Sequence, residues 1–410
     1  MTKSDDKRVP VLRFKGFTDE WEQRKLGEIC KVTKLAGFEF TKYVNYSNTG
    51  SILAIRGINV KKGKFNLQDV KYIDNSNFSR LSRSKLQEGD ILFTYVGTIG
   101  NSAIVPKNVN WYLAPNVCLI RPQDKNSSFI SYLIQSDRFQ HEEIPKWITT
   151  SSQPALSMEN IRKFKIILPL NSEQQKISSL VSKIDKLITL QQRKEKQIKL
   201  LKKAMLQTLF TTKTVPQLRF KGFTDNWEQH KLNSFLVEYK KKTKINNQYP
   251  VLTSSRQGIF FQKDYYDGNQ IASKNNIGYN IVPRNYFTYR HMSDDTIFHF
   301  NINTLCDYGI VSTLYPVFTT NNQLSSSWLY YYLNYGNDMK RYALLQKQGG
   351  SRTYMYLSKL KNMSGHIPSV KEQDNVAKML LKIDNLIALQ QNKTKKLENL
   401  KQFLLQNMFI

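Results

Sequence analysis

Basic side chains are concentrated in one segment of the first half of the chain. Between residues 56 and 85 there are eight Lys or Arg residues but only two acidic ones, Asp69 and Asp74. Lys and Arg neutralise phosphate charges, and Arg can also hold guanine through paired hydrogen bonds. A solvated charged surface is the simple alternative. The candidate phosphate or base contacts in this segment are Arg56, Lys61, Lys62, Arg80, Arg83 and Lys85.

Small polar residues form a second group of candidates. Residues 89–105 have an apolar run followed by a Gly-rich turn, which predicts a hairpin with Thr94, Thr98 and Asn101 at or near its tip. Asn can bind adenine through paired hydrogen bonds, although it is equally common as a turn residue. In the second half the same reasoning selects Arg256, Lys274, Asn275, Asn276, Arg290 and His291. Residues 274–276 could instead form a simple turn.

Two polar loops occupy equivalent places late in each half, at residues 149–153 and 348–352. Small polar residues let the backbone approach a phosphate closely, and Arg352 could hold that phosphate through two hydrogen bonds. Flexible connectors would have the same composition.

Signatures of catalysis are missing. The chain has no adjacent prolines, and so it lacks the Asn/Asp-Pro-Pro-Tyr/Phe tetrapeptide with which amino-methyltransferases hold a flipped base. Its only Gly-Lys pair precedes Phe65 rather than Ser or Thr, which excludes a P-loop for ATP. Asp294 and Asp295 form a tight acidic pair, but a solvated turn explains them better than a metal site. We therefore expect a binding protein rather than an enzyme.

The three cysteines are too dispersed to cross-link or bind metal together. Cys30, Cys118 and Cys306 lie far apart, and the five histidines show no ligand-like spacing with them. This pattern supports neither a disulfide framework nor a zinc site.

The net charge indicates a polyanionic partner. The 410 residues include 61 Lys plus Arg against 32 Asp plus Glu, a net charge of +29. Nucleic acid is the favoured partner, although charge alone does not separate DNA from RNA or from an anionic membrane surface. The first ten residues are charged, and no apolar run is long enough to span a bilayer, so we expect a cytoplasmic protein.

Internal repeats divide the chain into two copies of one plan. Residues 9–26 recur as residues 215–232 with differences at only three of 18 positions. Residues 169–210 match residues 368–409 at an offset of 199, and seven of nine residues are identical between 184–192 and 383–391. Chance bias in composition would not produce two ordered repeats.

The second repeat predicts two long helices, each with a heptad seam. The predicted a positions are Ile177, Ile184, Gln191, Ile198 and Met205, and then Val376, Ile383, Gln390, Leu397 and Leu404. The predicted d positions are Leu180, Leu187, Lys194, Leu201 and Thr208, and then Met379, Leu386, Lys393, Leu400 and Asn407. If the helices pair antiparallel, the central polar residues Gln191, Lys194, Gln390 and Lys393 would fix their register. Alternatively, each amphipathic helix packs only on its own domain.

The intervening stretches, 27–168 and 233–367, show no obvious similarity to each other. Both have aromatic and β-branched residues in short runs broken by Gly, Asn and Pro, which predicts twisted sheet with a few helices. The expected fold class is α+β, with two globular domains joined by two long antiparallel coiled-coil helices in a pseudo-two-fold arrangement. The segments are a repeat at 1–26, a domain at 27–168, a helix at 169–210, a repeat linker at 211–232, a domain at 233–367 and a helix at 368–410.

Three motifs, in this order and with the first and third duplicated about the middle, resemble the specificity subunit of type I restriction-modification systems. They are Pro-x-Leu-Arg-Phe-Lys-Gly-Phe-x-x-x-Trp, Gly-Asp-Ile-Leu-Phe-Thr with Gly-Thr-Ile-Gly following, and a Pro-x-x-x-Glu-Gln entry into each long helix. The resemblance covers essentially the whole chain. No residue that reads bases can be carried over, because the recognition domains of that family diverge.

The resemblance implies a DNA-binding subunit without a catalytic centre of its own. Residues 27–168 and 233–367 would be target-recognition domains, each reading one half of a bipartite target in double-stranded DNA. The helices would dock two methyltransferase subunits, and separate restriction/translocase subunits would join them. S-adenosylmethionine, ATP and magnesium would belong to those partners, and the helical spacers suggest half-sites about one DNA turn apart.

Two rival functions share some of these features. A two-headed DNA- or RNA-binding structural protein without methyltransferase partners would have the same charge and helices. A self-sufficient nuclease would instead cut duplex DNA when supplied with metal.

Overall fold

The computed structural model describes residues 9–123, 126–149, 154–268, 275–347 and 352–410. The chain divides into two compact units, Met1–Gln192 with Asn392–Ile410 and then Arg193–Gln391. Each unit therefore contains one globular domain and a part of both long helices. Among the residues described, no helix is both long enough and apolar enough to cross a membrane.

The first unit is built around an antiparallel four-stranded sheet of order β2-β10-β7-β8. Its inner strand β7 is fully buried, and helix α3 begins where Asn126 accepts a hydrogen bond from the Phe129 amide. The strands are β1 (Glu22–Lys25), β2 (Cys30–Lys34), β3 (Leu53–Ile55), β4 (Val60–Lys61), β5 (Lys64–Phe65), β6 (Lys71–Tyr72), β7 (Ile91–Thr94), β8 (Ser102–Ile104), β9 (Trp111–Leu113), β10 (Val117–Pro122) and β11 (Lys165–Leu168). The helices are α1 (Leu26–Ile29), α2 (Gly37–Tyr43), α3 (Ser127–Gln135), α4 (Met158–Arg162) and the start of α5 (Asn171–Leu209).

The second unit has an antiparallel four-stranded sheet of order β13-β21-β17-β19. Its strands are β12 (Glu228–Lys231), β13 (Leu236–Glu238), β14 (Leu252–Ser255), β15 (Gly258–Phe261), β16 (Asn280–Pro283), β17 (Phe287–Thr288), β18 (Met292–Ser293), β19 (Asn301–Ile302), β20 (Tyr308–Val311), β21 (Val317–Thr320), β22 (Thr353–Tyr354) and β23 (Ser364–Ile367). Its helices are α6 (Gln262–Tyr265), α7 (Ser326–Tyr335), α8 (Asn337–Leu345), α9 (Leu357–Asn362) and α10 (Val370–Asn407) as far as Gln391.

The two sheets correspond strand for strand, although the sequences of the two domains show no obvious similarity. Strands β2, β10, β7 and β8 occupy the same order as β13, β21, β17 and β19. Each repeat segment also pairs antiparallel with the strand before the long helix, because β1 pairs with β11 and β12 with β23. The duplication therefore extends through the domains, where the order of strands is kept and the residues are not.

The two long helices pair antiparallel within each unit. In the first unit, early α5 residues such as Ile177 and Val181 share a core with Leu404 and Leu405 near the end of α10. In the second unit, early α10 residues such as Val376 and Leu380 share a core with Leu206, near the end of α5. The antiparallel coiled-coil prediction is confirmed, and helix α5 has 39 residues.

The predicted d positions of the heptads were wrong by one residue. The seam follows the predicted a positions, but its other members are Val181, Ile188, Glu195, Lys202 and Leu209, and then Leu380, Ile387, Thr394, Lys401 and Met408. Several predicted d residues are instead exposed, including Leu187 at 45% and Leu201 at 55%. Apolar residues occupy both the i+3 and the i+4 position after Ile177 and Ile184, so the sequence pattern alone does not distinguish the two seams.

This shift changes the predicted polar centre of the seam. Gln191 and Gln390 are half-buried, as a register-fixing role requires, but Lys194 and Lys393 are exposed and lie outside the seam. The residues at the corresponding seam positions are Glu195 and Thr394.

Candidate nucleic-acid interface and its frame

Each repeat segment is fixed to a long helix by a buried ion pair. Arg13 donates two hydrogen bonds to Glu173, with Nε–Oε1 and Nη2–Oε2 distances of 2.7 and 2.8 Å. Arg219 holds Glu372 in the same way at 2.8 and 2.9 Å. Both carboxylates lie in the first turn of a helix, where the helix dipole favours negative charge. In each ion pair, the arginine comes from the shorter repeat and the glutamate from the longer one.

The glutamine of each Glu-Gln motif donates a hydrogen bond to the proline carbonyl that precedes the helix. Gln174 Nε2 donates to the Pro169 carbonyl at 2.9 Å, and Gln373 Nε2 donates to the Pro368 carbonyl at 2.8 Å. Both glutamines are buried. The Pro-x-x-x-Glu-Gln motif is therefore a structural element of the frame.

A second contact, which we call the polar lock, joins each globular domain to both long helices. In the first unit, Tyr132 of α3 donates to Asp185 at 2.8 Å, and Lys401 forms an ion pair with Asp185 at 2.8 Å. Lys401 Nζ also lies 5.4 Å from the centre of the Tyr132 ring. Burial and the neighbouring Asp185 carboxylate raise the pKa of Tyr132, so its hydroxyl remains a donor.

The second unit has the same lock with the helices exchanged. Tyr331 of α7 donates to Asp384 at 2.7 Å, and Lys202 forms an ion pair with Asp384 at 2.5 Å. All three residues are related to those of the first lock by the same offset of 199, but the lysine now comes from α5 instead of α10. Sequence reasoning missed this contact, although the equal offsets of its aspartates and lysines are visible in the repeat.

We expect the two locks to show energetic coupling. Replacing Asp185 with Asn should destabilise the first unit by about 1 kcal/mol, because Lys401 loses a partly buried charge partner. A double-mutant cycle with Lys401→Met, measured by urea unfolding, should show the two changes to be less than additive. The matching cycle of Asp384 with Lys202 should behave alike, whereas full additivity in both would contradict the lock.

The basic segment of the first domain contains both paired and unpaired side chains. Arg56 contacts Asp69 at 2.8 Å, Arg83 contacts Glu39 at 2.7 Å, and Lys62 lies 3.9 Å from Asp137. Within the described part of the chain, three candidates are exposed and have no ionic partner: Lys61, Arg80 and Lys85. These three are the more accessible candidates for phosphate.

The predicted hairpin is present, because β7 pairs antiparallel with β8. Gly97 and Gly100 take positive φ angles of 75° and 94° in its turn. The Thr94 hydroxyl is buried, donates to the Thr98 carbonyl and accepts from the Asn101 amide at 3.0 Å, so it stabilises the turn and is not accessible for base contact. Thr98 is exposed and Asn101 is half-buried. Direct readout by these two stays a prediction.

In the second domain, each residue of the acidic pair Asp294 and Asp295 contacts an arginine. Arg256 contacts Asp295 through both terminal nitrogens, with an Nη1–Oδ2 distance of 2.8 Å, and Arg352 Nε lies 3.0 Å from Asp294. The Arg256 guanidinium and the Ser293 hydroxyl lower the pKa of Asp295. Among the described residues, no group of three or more His, Cys, Asp or Glu side chains comes together in a way that could hold a metal.

The remaining candidates differ in accessibility. Asn276 is buried and bonded to Asn246 and Asn247, and the Asn275 side chain accepts from the Ile277 amide, so both have the contacts of the turn-forming alternative. His291 is 8% exposed, stacked on Tyr356 and bonded to the Leu314 carbonyl. Arg290 is exposed. Lys274 and residues 150–153 and 348–351 lie outside the described residues.

A line of exposed leucines runs along each long helix, away from the seam. We call these the outer leucines; three equivalent pairs related by the offset of 199 are Leu187 and Leu386, Leu190 and Leu389, and Leu201 and Leu400. Each is between 44% and 55% exposed. Exposed apolar residues in line indicate an interaction surface.

Comparison with known proteins gives a consistent class. Residues 18–200 match the family model of the type I restriction modification DNA specificity domain. The putative type I restriction enzyme MjaX specificity subunit of Methanocaldococcus jannaschii is 24% identical over 411 residues, covering 94% of this chain and 91% of that protein. The EcoBI specificity subunit of Escherichia coli is 26% identical over 239 residues, covering 55% of this chain and 48% of that protein.

Solved structures extend the likeness over the whole chain. The S subunit of a type I restriction-modification system from M. genitalium has a TM-score of 0.59 at 12% identity, covering 98% of this chain and 99% of that one. A chain from a structure of type I system assembly and conformational transition has a TM-score of 0.50 at 17% identity, covering 94% and 96%. These likenesses establish the fold.

Residues 18–200 therefore contain a match to the type I restriction modification DNA specificity domain. Over most of its length the chain is similar to type I restriction-modification specificity subunits.

Proposed function

We propose that this protein reads a bipartite target in double-stranded DNA, one half with each globular domain, and that its long helices dock two methyltransferase subunits. The observation that carries the proposal is the duplicated frame. The same ion pair and the same polar lock hold two domains whose sequences show no obvious similarity. If the two domains perform the same task on different half-sites, the frame should be constant and the domains should differ.

Charge and surface chemistry support DNA as the target. The net charge of +29 favours a polyanion, and each phosphate contact by Lys or Arg releases condensed counterions. The exposed and unpaired cations of the first domain are available for such contacts. Arg binds phosphate or reads guanine, and Asn reads adenine through paired hydrogen bonds, so Arg290 is a candidate phosphate or base contact and Asn101 a candidate base contact.

The outer leucines support docking of partner subunits. They occur at equivalent positions on both helices, which fits two copies of one partner better than a single partner. The motor subunits of such a complex, and the binding of S-adenosylmethionine, ATP and magnesium by partner subunits, are part of this proposal.

The direct test is to express the chain with a candidate adenine methyltransferase partner and to map methylated adenines on a plasmid by single-molecule sequencing. We expect a split motif with a fixed gap. A stable complex that methylates no split motif would contradict the proposal and favour a structural nucleic-acid binder. Cleavage of duplex DNA by the isolated chain with added metal would favour the nuclease alternative.

A further inference from the structure

The second domain contains a cavity of about 340 Å³, and Arg290 is the only residue of its lining that the recognition function described above uses. Its walls come from the β14–β15 turn with Arg256 and Gln257, from the segment that includes Arg290 and His299, and from Tyr315. This volume is within the range of roughly 300–1,000 Å³ that is usual for small-ligand sites.

One wall of the cavity is held rigidly. Asp295 is fixed by Arg256 and accepts further hydrogen bonds from the Ser293 hydroxyl at 2.9 Å and the Ile297 amide at 3.2 Å. Between them, Thr296 has a φ of 65°, which is costly for a β-branched residue. Such strain persists only where the surrounding contacts determine the conformation. The wall is therefore preorganised.

Polar groups in the cavity remain without partners. Nδ1 of His299 is buried and has no hydrogen-bond partner among the described residues. Burial and the charge of Arg256 lower the pKa of His299, so the ring is neutral near pH 7 and can both donate and accept. Arg290 lines the cavity, is exposed and has no ionic partner in the described part of the chain. A buried polar atom without a partner is costly unless a ligand or water completes it.

Aromatic side chains form another part of the lining. Tyr265, Tyr266, Phe298 and Tyr315 all contribute to the walls. A phosphate alone would need no aromatic surface, whereas a nucleobase stacks on such rings. The aromatic faces suit a base, the polar groups beside them suit its hydrogen-bonding edge, and the unpaired arginine suits a phosphate.

We propose that this cavity receives one nucleotide extruded from the half-site that the second domain reads. The base lies among the tyrosines with its polar edge toward His299 and Gln257, and Arg290 holds the adjoining phosphate. The inference rests on the proposed function, because it requires DNA bound to this domain.

The test uses the full chain in complex with its methyltransferase and duplexes carrying the mapped target. Each base pair of the second half-site, other than the methylated one, is replaced in turn by a mismatch. A mismatch at the extruded position removes the cost of unpairing, so binding there should tighten by about tenfold. At the same position, 2-aminopurine fluorescence should rise on binding.

A variant that fills the cavity, compared with a matched control variant, tests whether the cavity is the binding site. Gln257→Trp should abolish both signals and leave recognition of the first half-site unchanged, because Gln257 is exposed at the cavity wall. Lys263→Trp, at an exposed position outside this lining, should keep both signals. A methylated split motif with no tightening mismatch and no fluorescence rise would overturn the cavity proposal. The absence of any split motif would overturn the proposed function itself.

Discussion

Replacing Glu173 with Gln should destabilise the first unit by about 3–5 kcal/mol, because it leaves the Arg13 guanidinium buried without its charge partner. The Glu173 side chain has no exposed surface, and that of Arg13 is 12% exposed. Glu372→Gln should have a similar effect on the second unit, where the side chains of Arg219 and Glu372 are 12% and 2% exposed. Chemical unfolding followed by tryptophan fluorescence measures both changes.

Two controls distinguish a buried ion pair from general sensitivity of the fold. Glu159→Gln removes an exposed partner of Lys163 and should leave the unfolding curve unchanged. The double replacement Arg13→Met with Glu173→Met should cost less than the sum of the single changes, since no charge is left unpaired. Equal losses for Glu159→Gln and Glu173→Gln would contradict the importance of the buried pair.

Placing a charge among the outer leucines should weaken association with the proposed methyltransferase partner. Leu187→Asp together with Leu386→Asp should weaken binding by about 100-fold, because truncating or charging central apolar anchors typically costs a few kcal/mol each. Both residues are exposed, at 45% and 47%, so the fold should remain intact. Binding to the purified methyltransferase, measured by calorimetry or fluorescence anisotropy, gives the fold-change.

The matched control places the same charges on the same helices away from the outer leucines. Thr189 and Ala388 are exposed and equivalent by the offset of 199. Thr189→Asp together with Ala388→Asp should bind nearly as well as the unaltered chain. Docking through the outer leucines would be contradicted if both pairs of substitutions weakened binding equally.

The repeats made the frame predictable from sequence, but not its contacts. Long helices and their antiparallel pairing follow from two apolar stripes repeated in phase. The error in the d positions has a local cause, because Leu180 precedes Val181 and Leu187 precedes Ile188, and only packing decides which of the two is buried. The Arg13–Glu173 pair joins residues 160 positions apart, which no local pattern shows.

The domains were less predictable than the helices. An apolar run followed by a Gly-rich turn predicted the β7–β8 hairpin, whereas the shared strand order of the two sheets arises from long-range hydrogen bonds. Among the candidate site residues, composition cannot separate a turn-forming Thr94 or Asn276 from an accessible Arg80 or Arg290. Burial makes that distinction, because a side chain that is buried and hydrogen-bonded within its own turn has no accessible polar group for DNA.

Exchange of residues 27–168 for the corresponding domain of a type I specificity subunit, followed by mapping of the methylated adenines, tests most directly whether each domain reads one half-site. One half of the split motif should change, while the other half and the gap between them should stay the same. A motif that changes in both halves, or in neither, would contradict the assignment of one half-site to each domain.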